Sequence, residues 1–251
     1  MYYNNIHILI YVAAAVIGIV VGNICNWYNY CRINEKKIFF KKFFKKDAEF
    51  KNNIWIQIIT VMFYIVLLYK YGIGKTLLSN LTLIKYFIIT PMLISAFVID
   101  LKKQIIPNGL NLKLFQIGIA FAFIAGVLNT KIAIIAIDMF LGMIAGGGIF
   151  LLITVIGGII AGKEAMGFGD VKFMCALGLL FGLANTIVIT LMAFLVAAIV
   201  SIAIMIIKRS KETYIPFGPF IVTASFLVML IPFSTLVNVL ICVFSLGTIK
   251  I

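Results

Sequence analysis

Uninterrupted apolar runs, each near the roughly 20 residues a helix needs to cross a bilayer, recur along the whole chain. This feature constrains the fold most. In lipid every backbone N–H and C=O must be paired internally, so only helices and closed barrels can span. A barrel would be written in short segments of alternating polarity. The runs here are continuous, which selects an all-α, polytopic helical bundle. Composition agrees: 12% of residues are charged, about half the share of a soluble domain, and mean hydropathy is +1.19. Eight spans are expected, at about 6–27, 54–71, 82–100, 109–128, 132–160, 171–184, 186–207 and 216–232. The stretch 235–249 is either a ninth span or lies along the surface. The first run has no basic segment before it, so a retained span is expected over a cleaved signal peptide. The glycines at 146–148 and 157–158 predict close helix packing or a kink in the long run 132–160.

The net charge of +13 would suggest nucleic acid on a soluble protein. Here the basic residues sit in loops, and no basic-and-aromatic RNA motif occurs, so topology and anionic lipid account for them. The loop 32–53 alternates Lys-Lys with Phe-Phe. It reads equally as an interfacial segment with Phe in the lipid or as a plain cytosolic loop. Placing it on one side puts the loops 101–108, 161–170 and 208–214 on that side too, with Lys113 and Lys172 beside them, leaving Lys70, Lys75, Lys85 and Lys131 opposite and Lys250 unassigned. The basic side is expected to be cytoplasmic, with the N-terminus outside. Of the four cysteines, Cys25, Cys31, Cys175 and Cys242, none forms a C-x-x-C pair, so no zinc site is written in the sequence. Three lie in apolar runs and read as small buried hydrophobes.

Only eight residues are acidic. Glu35, Asp47, Glu49 and Glu212 fall in basic loops, leaving Asp100, Asp138, Glu164 and Asp170. A carboxylate at membrane depth costs a few kcal/mol and is a functional candidate by default. Asp100 ends one expected span and Asp170 begins another, with two spans between them, so both fall at the same membrane boundary. Such a pair can divide the work of hydrolysis: one ionised carboxylate activates water while its neutral partner donates to the carbonyl. Two unrelated helix-end carboxylates remain the alternative, since Asp170 also suits a helix N-terminus. Gly167 and Gly169 precede Asp170 and would let a substrate backbone approach closely. Asp138 lies toward the opposite face and is expected to make a structural contact between helices. Glu164 lies in the loop beside Lys163 and within reach of Lys172, where an exposed pair contributes little.

Four segments in order resemble the type IV prepilin peptidases, the GxGD aspartyl proteases of type IV pili and type II secretion. They are "GNICN" at 22–26, "DLKKQIIPN" at 100–108, "EAMGFGDVK" at 164–172 and "IPFGPF" at 215–220. The resemblance implies one membrane-embedded peptidase domain over 1–251. It implies an endopeptidase that removes a short basic leader from prepilins or pseudopilins at the cytoplasmic face, before an apolar helix. It carries catalysis to Asp100 and Asp170, and a supporting or substrate-binding place to Gly167, Gly169, Glu164, Lys172, Pro107 and Asn108. Proteolysis then needs no cofactor. Many members also N-methylate the new terminus with S-adenosylmethionine. This chain departs from the longer members at 32–53, where a short lysine-rich loop replaces a larger loop bearing two C-x-x-C pairs. No zinc is expected, and methyl transfer stays open. A basic leader meeting a basic face opposes long-range steering, and anionic lipid bound by both would offset it. Competing readings are a presenilin-like or preflagellin-type GxGD protease, a proton-coupled transporter with Asp100 and Asp138 as a relay, and a pilus scaffold without chemistry.

Overall fold

A computed structural model describes residues 2–3, 6–36, 50–74, 76–129, 132–162, 166–208 and 215–245. Among them the chain forms nine α-helices and one pair of two-residue strands, β1 (Tyr2–Tyr3) and β2 (Ile6–His7). The helices are α1 (Ile8–Ile33), α2 (Ile54–Tyr71), α3 (Leu77–Lys103), α4 (Asn108–Asn129), α5 (Ile132–Ala161), α6 (Phe168–Phe181), α7 (Leu183–Lys208), α8 (Gly218–Leu230) and α9 (Phe233–Phe244). Six of these, α1 to α5 and α7, are long and apolar enough to cross a membrane. The protein is a multi-pass helical membrane protein. It divides into two compact units, Met1–Pro107 and Asn108–Ile251.

The first unit holds α1, α2 and α3. Gly18 and Gly22, one helical turn apart, let α1 approach α2 closely. A Cβ on Gly22 would stand 2.8 Å from the Cα of Gln57, and one on Gly18 would stand 3.0 Å from the Cα of Val61. This is the small-residue packing that brings helix backbones together where burial of oil in oil gives no driving force. Polar side chains lock the same seam. Asn26 donates to Asn52 Oδ1 at 2.7 Å and to the Asn53 carbonyl at 2.9 Å, while Gln57 and Asn52 both donate to Asn23 Oδ1. Gly22 and Asn26 of the first motif thus clamp α1 to the start of α2.

Pro91 lies inside α3. Proline has no N–H, so the carbonyl of Phe87 loses its helical donor, a costly state away from water. The Tyr64 hydroxyl supplies the missing bond at 2.8 Å, and its ring stacks on Phe87 with centroids 4.3 Å apart. Tyr64→Phe is expected to lower the unfolding free energy by about 1–3 kcal/mol, the cost of an orphaned buried acceptor, measured by thermal or denaturant unfolding in detergent. The thiol of Cys25 meets Ser95 Oγ at 3.1 Å, and Lys103 meets Glu35 at 3.6 Å. Both contacts place α1 and α3 side by side and parallel.

In the second unit, α5 runs antiparallel to α6. A Cβ on Gly142 would stand 2.7 Å from the carbonyl carbon of Gly182, and one on Gly146 would stand 2.7 Å from the Met174 oxygen. Of the glycines expected to pack closely, Gly146 and Gly147 do so against α6 while Gly148 faces open space, and α5 is one continuous helix across its glycines. Helix α4 runs parallel to α6, since Asn108 and Asn111 meet the start of α6 and Gly118 faces Leu179. The late motif has a packing role: Phe217 touches Phe150, Phe194 and Phe220, with centroids 5.0–5.8 Å apart.

The spans differ from expectation mainly at their ends. Helix α1 continues to Ile33, beyond the expected 27, because Trp27, Asn29 and Cys31 are buried along it. Helix α3 starts before 82 and runs past Asp100 to Lys103. The short run expected at 171–184 is a helix of 14 residues, Phe168–Phe181. The region 235–249 contains α9, of 12 residues. Cys25 and Cys31 are buried and Cys175 is half-buried, but Cys242 is exposed on the protein surface, so burial does not extend to every cysteine in an apolar run. Most of the loop 32–53 lies outside the described residues.

Candidate active site

The two sequence-predicted aspartates sit near helix ends, one in each unit. Asp100 lies in the last turn of α3 and is 4% exposed. That turn is closed by Gln104, whose φ of 56° is left-handed and whose N–H donates to the Asp100 carbonyl at 2.8 Å. A left-handed residue after the last turn is a normal helix stop. An extended stretch through the half-buried Pro107 then leads to the start of α4.

Asp170 lies in the first turn of α6 and is 7% exposed. Its N–H donates to the carbonyl of Gly167, the residue before the helix, at 3.0 Å. The exposed N–H groups of a helix start favour a carboxylate there. A Cβ on Gly167 would lie 3.6 Å from Asp170 Oδ2, an ordinary contact, so the glycine keeps the space beside the carboxylate open. Gly169 is helical and is not among the residues of positive φ. Its place in the helix calls for no left-handed backbone.

The structure brings several predicted residues together within the second unit. Lys172 donates to Asn108 Oδ1 at 3.1 Å and lies over the Phe168 ring at 5.2 Å. Sequence reasoning missed Asn111, whose amide nitrogen donates to the Gly169 carbonyl at 3.4 Å. A signal existed: Asn108 and Asn111 share one face of α4 at a spacing of three, and a buried amide in an apolar helix is rare. Pro107 belongs to the first unit with Asp100, and Glu164 lies outside the described residues. Asp138 stands apart from these residues. It accepts the Leu183 N–H at 3.2 Å and so caps the start of α7.

A groove of about 400 Å³ opens between α4 and α6, with Asn108 and Lys172 at its mouth. Its lining has a lysine and no carboxylate. That does not suit the cationic sulfonium and ribose hydroxyls of S-adenosylmethionine. Among the described residues no three His, Cys, Asp or Glu cluster as metal ligands.

Comparison with known proteins gives this geometry a family. A profile of the type IV leader peptidase family matches residues 87–202, a stretch that contains Asp100 and Asp170. The prepilin leader peptidase/N-methyltransferase of Aeromonas hydrophila is 28% identical over 160 residues, covering 63% of this chain and 53% of the relative. The protein of that name from Neisseria gonorrhoeae is 25% identical over 173 residues, 69% of this chain and 55% of the relative. The chain thus spans about half the length of these relatives. Leader peptidase HopD of Escherichia coli is 32% identical over 134 residues, covering 53% of this chain and 83% of HopD. No solved structure matches the chain significantly. An alignment reaching across most of HopD, with the profile running from α3 to α7, leads to one conclusion: the chain belongs to the type IV leader peptidase family.

Proposed function

We propose that this protein is a membrane aspartyl endopeptidase that removes the leader from type IV prepilins or pilin-like precursors, with Asp100 and Asp170 as its catalytic pair. One observation carries the reading. Two of the chain's eight acidic residues are buried near the ends of apolar helices, and both lie in the stretch matched by the family profile. A buried carboxylate in a membrane protein demands a purpose, and hydrolysis of a peptide bond supplies one for each.

In this reading the ionised carboxylate takes a proton from a water molecule, whose oxygen attacks the scissile carbonyl. The protonated carboxyl gives its proton to the carbonyl oxygen. As the tetrahedral adduct collapses, the C–N bond breaks, the first carboxyl passes the water's proton to the leaving nitrogen, and a hydroxyl of the adduct returns its proton to the second carboxylate as the new carbonyl forms. The pair ends with one proton between them, as it began. The two compact units serve as one peptidase domain. The basic side faces the cytoplasm with the N-terminus outside, and the lysines of that side hold anionic lipid that also attracts a basic leader. Gly167 and Gly169 keep the approach to Asp170 clear, and Glu164, Lys172, Pro107 and Asn108 support the substrate.

The test is conversion of a prepilin-type precursor by membranes containing this chain, with an engineered cysteine in the loop 208–214 probed by impermeant reagent. Conversion with that loop on the inner side is expected. A precursor left intact, or a loop labelled from outside, contradicts the reading. Because no metal step is involved, EDTA is expected to leave the rate unchanged, and loss of activity restored by a divalent metal would overturn the carboxylate mechanism.

A further inference from the structure

The groove between α4 and α6 is lined by the polar Asn108, Asn111 and Lys172 and the apolar Leu112, Phe115, Cys175 and Ala176, with Asn108, Leu112 and Lys172 exposed at its rim and Asn111 buried. Asn111 is 5% exposed, and its Oδ1 finds no hydrogen-bond donor among the described residues. Its other arm reaches the Gly169 carbonyl only at 3.4 Å. The amide is under-bonded at both ends. Leaving a buried acceptor unmet is unfavourable, and native structures rarely do it without a reason.

Resting on the peptidase reading above, we infer that this groove seats the apolar segment of the substrate on one side of the scissile bond, and that the Asn111 amide, whose Oδ1 is closed to solvent in the free protein, turns so that Oδ1 accepts a substrate backbone N–H. Three observations choose this occupant. The groove adjoins the candidate site: Asn111 contacts Gly169, the residue directly before Asp170. Its interior is apolar, so it selects apolar side chains. Its buried polar atom without a partner among the described residues is an acceptor, which an acyl chain cannot satisfy. A peptide offers an N–H at every residue when extended, and four free N–H groups in the first turn of a helix. Asn111 is thus a substrate-positioning residue, and the groove sets a specificity for an apolar residue next to the cut.

The experiment uses the full chain in lipid nanodiscs and a prepilin-type precursor. Asn111→Leu keeps the volume and removes both polar arms; Leu112→Trp, at an exposed lining position, crowds the groove. Asn111→Leu is expected to lower kcat/KM by about 5- to 150-fold, the range for one lost hydrogen bond to a buried partner, and Leu112→Trp is expected to lower it as well, both mainly through KM and with near wild-type thermal stability. Asn111→Gln is expected to recover part of the loss. Replacing the precursor's apolar residue beside the cut with Asp should weaken the wild type strongly and the Leu112→Trp variant little further. A photoreactive benzoylphenylalanine at position 115 should capture the precursor on that side of the cut. If the wild type cleaves the precursor but both variants keep its kcat/KM, or if position 115 captures only lipid, the groove assignment is wrong and the peptidase reading stands. If the variants fail only because they unfold, the cross-link decides alone. No cleavage by the wild type removes the peptidase reading and this inference with it.

Discussion

Asp100→Asn and Asp170→Asn are each expected to abolish precursor cleavage while the protein remains folded in the membrane. The change is small in shape and removes one ionisable group, so loss of turnover reports chemistry and not packing. General acid–base catalysis contributes about 10²- to 10⁴-fold per group, and groups acting as a unit fail together. Each variant is therefore expected to fall at least about 10²-fold, and the double variant little further. Asp138→Asn is the control. It keeps an oxygen for the Leu183 N–H at the start of α7, so cleavage should persist with at most a modest loss of stability. Single-turnover rates from purified variants check this. Equal loss at Asp138 would move the chemistry away from the proposed pair and revive the proton-relay reading.

Gly178→Val is expected to have the largest effect on the fold. A Cβ at Gly178 would overlap the carbonyl group of Gly142 and lie 2.8 Å from the Met143 nitrogen. These are backbone atoms of α5, which cannot rotate aside as a side chain can. Overpacking commonly costs about 1–3 kcal/mol where side chains can adjust. Here two helices must separate, so the loss should exceed that range. A collapse of thermal stability and detergent-soluble yield is predicted. Gly148→Ala, at a position where a Cβ meets nothing, should leave both unchanged. A stable Gly178→Val protein would contradict the packing of α5 on α6.

The class of fold was legible because lipid leaves so few options: runs of apolar residues become helices, and the absence of charge within them fixes their number closely. Helix ends were less legible. The residues Trp27 to Ile33 read as loop by polarity, yet they bury Trp27, Asn29 and Cys31 and continue α1. The packing use of the glycines at 142, 146 and 147 was visible as composition, but which helix they face was not. Their partners Met174, Cys175 and Gly178 lie some 30 residues on, and spacing does not encode such long-range contacts. At the candidate site, scarcity of acid made Asp100 and Asp170 conspicuous, and both are buried near helix ends. Asn111 escaped notice because a neutral amide carries no charge penalty to flag it; its spacing of three from Asn108 was the one signal, and its unmet oxygen in the folded protein marks it out.

The most direct measurement is intact-mass analysis of a purified prepilin-type precursor incubated with the wild-type chain and with Asp170→Asn, in nanodiscs containing EDTA. The account predicts that the wild type yields two fragments from a single cut on the leader side of the precursor's apolar segment, each water-balanced in mass, while Asp170→Asn leaves the precursor whole. A precursor untouched by the wild type, or cut equally by Asp170→Asn, would contradict it.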